Sequence, residues 1–230
     1  RFPGPDGRQM IQHISAADPR LAVKPAPLLH PLASIVDRLD WATVFPETRP
    51  VEVELGAGDC SFLLELARLR PDRNFLGVER MLGRLRKLDR KGRRAGLTNL
   101  RGLRVEAAYC LEYLLPLEDV EALHVYFPDP WPKRRHWRRR LVNERFPDLA
   151  ARVLRPGGWV HLRTDHPDYF ERMRQVFAAR PAFREAPVPG HLAALETDFE
   201  HEFLARGIPI LRLSCRYDPD GSPDAPLTTG

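Results

Sequence analysis

The chain has 230 residues, 43% of them hydrophobic and 29% charged, which suits one domain with a full core and excludes a disordered chain. No apolar run approaches the roughly eighteen residues of a membrane span. A net charge of +5 points toward a polyanionic partner, while three widely spaced cysteines (Cys60, Cys110, Cys215) without CxxC or HxxxH spacing argue against a disulfide framework and a zinc site and fit a reducing cytoplasm.

Residues 1–48 carry Pro3, Pro5, Pro19, Pro25, Pro27, Pro31 and Pro46 with little periodicity. They are expected to form an extended arm with one short helix near Pro31–Trp41. The chain begins at Arg1, so a leader before it stays open. From residue 49 to 217 the pattern alternates. Val51–Leu55 reads as a strand, Ser61–Leu69 as a helix, Asn74–Glu79 as a strand and Met81–Ala95 as a strongly basic helix. Leu100–Val105 and Ala122–Phe127 read as strands around a short helix, Tyr109–Leu115. Then come a helix over Asn143–Leu154, stopped by Arg155-Pro156-Gly157-Gly158, a strand over Trp159–Arg163 and a helix over Pro167–Ala179. After a proline-rich connection, Glu196–Gly207 reads as a last helix and Ile208–Cys215 as an antiparallel edge strand. Residues 218–230 are expected to be a disordered tail. The fold class that follows is α/β, a mostly parallel sheet with helices on both faces. Right-handed crossovers bring the strand C-terminal ends to one edge, where such sheets bind ligands. Gly56, Glu79, Glu106, Asp129 and Asp165 each follow a predicted strand.

The run Val53-Glu54-Leu55-Gly56-Ala57-Gly58-Asp59-Cys60 places Gly56 and Gly58 between a strand and a helix. Glycines there allow a sharp turn and a close approach to a ligand. Glu79 ends the next strand and can accept hydrogen bonds from two ribose hydroxyls. A dinucleotide loop needs a third glycine, where this chain has Ser61. Acids on both sides of the turn, Glu54 and Asp59, oppose a pyrophosphate and suit a cofactor bearing a sulfonium and an amino group, S-adenosylmethionine. Glu106 is placed to accept from an adenine amino group.

The stretch from Phe127 to Arg140, FPDPWPKRRHWRRR, carries a second kind of chemistry. Prolines 128 and 130 restrict the backbone around Asp129. Trp131 and Trp137 offer stacking faces. Six of the eight residues from Lys133 to Arg140 are basic, and Arg134, Arg135, Arg138 and Arg139 are candidate RNA phosphate contacts. The Arg80–Arg94 stretch reads as an ordinary charged helix face or as a widening of an RNA footprint.

At this stretch the sequence resembles the tRNA (guanine-N7)-methyltransferase family, class I S-adenosylmethionine-dependent enzymes of Rossmann-like fold that methylate guanine 46 of the tRNA variable loop. The match runs through Phe127-Pro128-Asp129-Pro130-Trp131-Pro132-Lys133, Arg135-His136, Arg139-Arg140, Pro156-Gly157-Gly158, Thr164-Asp165 and Thr197-Asp198-Phe199-Glu200, with Phe203 and Gly207. The glycine turn and Phe75–Glu79 match too. The resemblance implies cofactor contacts at Glu54, Glu79, Glu106 and Asp129, with Asp129 as the active-site acid. It implies substrate contacts at Lys133, Asp165, Thr197, Asp198, Phe199 and Glu200. Three positions depart from the family pattern: Cys60 stands where a third glycine is common, Glu106 where Asp is common, and Asp198 where Glu is usual. Guanine N7 carries an in-plane lone pair and no proton, so alignment and carboxylates that favour a cationic purine, Asp129 and Asp165, should suffice without a strong base. The partner expected is tRNA, with no membrane and no metal, and the oligomeric state is open. The competing readings are a methyltransferase for another RNA site or a protein, an NAD-linked dehydrogenase, and a non-catalytic RNA-binding module.

Overall fold

The computed structural model of the chain describes residues 26–58 and 60–220. The first 25 residues of the expected arm, Asp59 and the tail from 221 lie outside the described residues, as do the side chains of Asp198 and Phe199. In chain order the elements are β1 (Leu29–His30), α1 (Trp41–Val44), β2 (Val51–Leu55), α2 (Ser61–Leu69), β3 (Asn74–Val78), α3 (Leu82–Arg94), β4 (Leu100–Leu103) and α4 (Ala107–Tyr109), which continues as a π-helical turn over Cys110–Leu114. β5 (Val120–Tyr126) is followed by a 3-10 turn over Arg134–Arg139. Then come α5 (Phe146–Val153), β6 (Leu154–Thr164), α6 (Pro167–Ala178), β7 (Phe183–Ala186), α7 (Gly190–Ala193), α8 (Asp198–Ala205) and β8 (Leu211–Tyr217).

The strands form one sheet of order β1-β4-β3-β2-β5-β6-β8-β7. β1 through β6 pair in parallel, and β8 runs antiparallel to both β6 and β7. The α/β expectation therefore holds, with one change at the end: β8 is internal and the edge strand is β7. The strand order reverses between β2 and β5, whose C-terminal ends flank the switch point.

Two apolar layers hold the sheet. Val51, Val53 and Leu55 of β2 face one layer with Leu123 and Val125 of β5, Leu111, Phe146, Tyr169 and Met173. Phe62, Leu63 and Leu66 of α2 and Leu85 and Leu88 of α3 cover the other. Against that second face lie the polar residues of the alternating strands, and they too are buried: Glu52, Glu54, His124, His161 and Arg163. Glu52 meets His124 Nε2 at 2.9 Å, and His124 Nδ1 meets the Tyr126 hydroxyl at 2.8 Å. Burial pushes the Tyr126 phenol up and His161 well below its ordinary range.

Several boundaries differ from expectation for local reasons. No helix forms over 31–40; Asp40 instead caps a single turn, α1, by accepting from the Ala42 amide at 3.0 Å. α5 starts at Phe146, after an Asn143 turn in which Oδ1 accepts from the Arg145 amide. β6 begins at Leu154 and runs through the two glycines. At Gly158 a Cβ would lie 2.9 Å from the Arg155 carbonyl oxygen and 3.0 Å from that of Glu121.

Gly77, near the end of β3, lets the turn through Gly56 and Gly58 sit down on the sheet. A Cβ there would meet Cys60 Sγ and Leu63 Cδ1 at 3.1 Å and Ala57 Cβ at 3.3 Å. The turn has little room to retreat, because the Gly56 and Ala57 amides both donate to the Val78 carbonyl at 2.9 Å. Gly77→Ala is expected to lower stability by about 1–2 kcal/mol and to weaken S-adenosylhomocysteine binding. Urea denaturation with a cofactor-product titration checks this; a variant as stable and as tightly binding as wild type would refute it.

Candidate active site

A cleft of about 380 Å³ opens at the switch point. Its walls come from the ends of four neighbouring strands: Leu55 and Gly56 after β2, Glu79 after β3, Glu106 after β4, and Tyr126 to Asp129 after β5. Arg80, Arg84, Trp131, Arg139 and Leu141 complete it. Gly56 and Gly58 have φ of +81° and +59°, the left-handed backbone that glycine adopts freely. Cys60 also has φ +59°, at a cost of about 1–2 kcal/mol for a residue with a Cβ. Its side chain is fully buried over Gly77. The departure from a third glycine thus falls where the backbone itself asks for one.

Glu79 ties the glycine turn to the start of α3. It is 6% exposed, and its Oε2 accepts from the Gly58 amide at 3.1 Å while Oε1 accepts from the Met81 amide at 2.8 Å. Arg84 adds an ion pair at 3.5 Å. Each carboxylate oxygen has two lone pairs, so acceptor capacity remains toward the cleft. The Gly58 N–H, which a dinucleotide loop would aim at a pyrophosphate, is already donated to Glu79; this disfavours the dehydrogenase reading. Glu106 lines the cleft from an exposed position and caps α4 by accepting from the Tyr109 amide at 2.8 Å. The longer side chain at this position does both. Glu54 lies buried in β2, and neither it nor Gly58 is a wall residue.

The proline-rich loop is held by its own unusual backbone. Phe127 and Trp131 have φ of +50° and +41°, one on each side of the Pro128-Asp129-Pro130 segment. The Phe127 amide donates to the Arg163 carbonyl at 2.9 Å, extending the β5–β6 ladder. Asp129 stands exposed at the cleft wall. Arg140 serves as a buried strut: its Nε donates to the Pro130 carbonyl at 2.7 Å, and its guanidinium lies 4.5 Å from the Tyr169 ring centroid. Trp131 lines the cleft with Arg139 stacked 5.1 Å from its centroid. Lys133, Arg134, Arg135 and Arg138 are exposed around the rim of the loop.

Residues 197–200 behave differently. Glu200 is fully buried. Its Oε2 lies 2.5 Å from Arg163 Nη1 and accepts from the Thr197 amide at 2.7 Å, and its Oε1 pairs with Arg212 at 2.9 Å. Thr197 Oγ1 accepts in turn from the Glu200 amide at 3.1 Å, a complete capping box at the start of α8. Thr197 and Glu200 therefore spend their polar groups inside the fold and are not walls of the cleft. Asp165 is half-buried at the end of β6, one strand over from Asp129, and is not a wall residue either. Among the described residues no group of His, Cys, Asp or Glu is arranged to hold a metal ion, and no helix is long and apolar enough to cross a membrane.

A family model described as "Putative methyltransferase" matches residues 48–213. The tRNA (guanine-N(7)-)-methyltransferase of Syntrophotalea carbinolica is 40% identical over 190 residues, 81% of this chain and 82% of that protein. The chain belongs to the tRNA (guanine-N7)-methyltransferase family. The protein of the same name from Nitrosococcus oceani is 37% identical over 64% of this chain, a match that spans 62% of that relative's length. The crystal structure of the 16S rRNA methyltransferase KamB superposes with a TM-score of 0.57 at 21% identity, covering 78% of this chain and 93% of that one, which shows the class I methyltransferase fold alone.

Within this family member, sequence reasoning did not single out Arg84, Tyr126 or Leu141 as cleft walls, nor Arg140 and Arg163 as buried struts. For Arg163 one signal was present in the sequence: an arginine at the end of a strand, directly after the apolar Leu162, which is stable when buried only if paired.

Proposed function

We propose that the chain transfers a methyl group from S-adenosylmethionine to N7 of a guanine in the tRNA variable loop (position 46). The observation that carries this is the meeting of Asp129, on a loop held by prolines and Arg140, with Gly56, Glu79 and Glu106 in one cleft, beneath a basic rim. When bound, S-adenosylmethionine would supply a sulfonium-activated methyl carbon open to attack by an in-plane nitrogen lone pair, with the C–S electron pair leaving on sulfur. Glu79 holds the ribose hydroxyls and Glu106 accepts from the adenine amino group. Glu54, buried beneath the turn, adds negative charge near a sulfonium. Asp129 accepts from N–H groups on the guanine Watson–Crick edge, and Trp131 offers the base a flat face. Asp165, on the adjoining strand end, supports the cationic product. Thr197 and Glu200 act by placing α8, and Lys133 with Arg134, Arg135, Arg138 and Arg139 holds phosphates.

The test is transfer of labelled methyl to a tRNA transcript, followed by nucleoside analysis. 7-Methylguanosine at position 46 supports the reading. A different methylated base, a methylated protein, or tRNA binding without transfer would replace it with one of the competing readings. For the rim, Lys133→Ala and Arg135→Ala are each expected to flatten the dependence of log K on log salt by about 0.7–0.9 for every phosphate no longer neutralised. A slope equal to wild type removes those residues from the footprint.

A further inference from the structure

On the far side of the basic loop from the cleft lies a second hollow, of about 590 Å³. The two share no wall residue, yet one stretch of chain borders both. Arg139 and Leu141 face the cleft, while Arg138, Arg140 and Val142 face the hollow. Arg140, which ends the 3-10 turn, has extended backbone with φ −62° and ψ 134°, and this turns its side chain away from those of Arg139 and Leu141. Trp137 forms the near wall at 37% exposure, and α6 forms the far wall through Asp168, Arg172 and Gln175.

We infer that this hollow receives a second nucleotide of the same RNA, close in sequence to the target guanine. The inference rests on the proposed tRNA activity. Its walls supply the three kinds of contact a nucleotide needs. Trp137 gives an aromatic face, backed by Arg140, whose guanidinium is 4.7 Å from the ring centroid. Arg138 gives an exposed guanidinium that pairs with no acid among the described residues. Asp168 gives an exposed carboxylate in the first turn of α6, suited to base N–H groups. The exposed Arg134 guanidinium also lies over Trp137, at 5.5 Å. An exposed interaction of that kind is weaker than a base on an indole face, so a base displaces it. Free nucleotide is a poorer fit than RNA, because the basic rim joins the hollow to the cleft and an RNA strand on the rim reaches both. Occupying the hollow fixes residues 138–142 and so sets Arg139 and Leu141 in the cleft wall.

Two variants of the full chain test this from opposite walls. Trp137→Ala removes the stacking face. Gln175→Trp fills the hollow from α6, where the Gln175 side chain hydrogen-bonds to Glu171 and Arg172 of its own helix. Each is expected to raise the KM for a tRNA transcript, and its dissociation constant in a direct binding assay, by about tenfold, with S-adenosylhomocysteine affinity unchanged and Trp137→Phe recovering part of the loss. If Trp137→Ala also weakens S-adenosylhomocysteine, the loop has shifted, and Gln175→Trp decides. Normal tRNA affinity in Gln175→Trp overturns the inference. A wild-type chain that binds tRNA without methylating it would overturn the proposed activity, while the direct binding assay would still read the hollow.

Discussion

Asp129→Ala is expected to lower kcat on tRNA by about 10²–10³-fold, with tRNA affinity within a few-fold of wild type. The size follows from where positive charge appears. Methylation turns a neutral purine into a cation, and a carboxylate on its Watson–Crick edge is worth more in the transition state than in the ground state. Each tenfold step is about 1.4 kcal/mol, so the loss corresponds to roughly 3–4 kcal/mol of differential stabilisation. Folding is not expected to suffer, because Asp129 is exposed and the loop is held instead by Arg140 on the Pro130 carbonyl and by the Phe127 amide on the β5–β6 ladder. Asp129→Asn, which keeps the shape and drops the charge, should lose nearly as much turnover. Steady-state methyl transfer alongside equilibrium tRNA binding separates the two quantities. Weakened binding with turnover intact would assign Asp129 to RNA capture and leave the methyl step without its acid.

The cleft was legible because its chemistry sits at strand ends, and strand ends are what hydrophobic periodicity marks best. Gly56, Glu79, Glu106 and Asp129 each fall just past an apolar run, and the parallel topology brings them to one edge. What was not legible has physical reasons. β1 is two residues long and β7 four, and their pairing is dictated by Gly102 and Leu103 in one case and by β8 in the other, so local propensity carries no trace of them. The alternation VEVEL reads as a strand with one wet face, yet Glu52 and Glu54 are buried under α2. Glu52 is tolerated there because His124 and Arg73 supply partners that sequence spacing cannot reveal. Arg140 looks like one more member of a basic run until its burial beneath Tyr169 and Trp137 is seen. Glu200 is the sharpest case. A motif resemblance marks it as a substrate contact, and the geometry gives its carboxylate to Arg163, Arg212 and the Thr197 amide.

That buried carboxylate should carry a large stability effect. Arg163 is 2% exposed at its side chain and Glu200 0%, and the pair joins β6 directly to the start of α8. Arg163 also donates to the Leu192 and Leu195 carbonyls at 2.6 and 2.8 Å and lies 4.5 Å from the Tyr126 ring centroid. It thereby ties α7, the α8 cap and a cleft wall to β6. Removing one partner of such a pair leaves the other charge buried, at about 3–5 kcal/mol out of a total of roughly 5–15 for a domain. Glu200→Ala and Arg163→Leu are each expected to destabilise on that scale. Replacing both at once should cost less than the sum of the two, since no lone charge remains between them, though Arg212 still loses its acid. The pH dependence has a definite sign. Burial pushes the Glu200 carboxyl up, but the Thr197 amide, Arg163 and Arg212 together outweigh it, and the net value lies below the ordinary 4.5. A depressed carboxylate stabilises the fold fully above 4.5, and that contribution fades as pH falls from there through the folded-state value. Urea midpoints for wild type and Glu200→Ala should thus lie far apart at neutral pH and converge on acidification. A gap that stays constant, or widens, as acid is added would mean that the ion pair is not what holds α8 to the sheet.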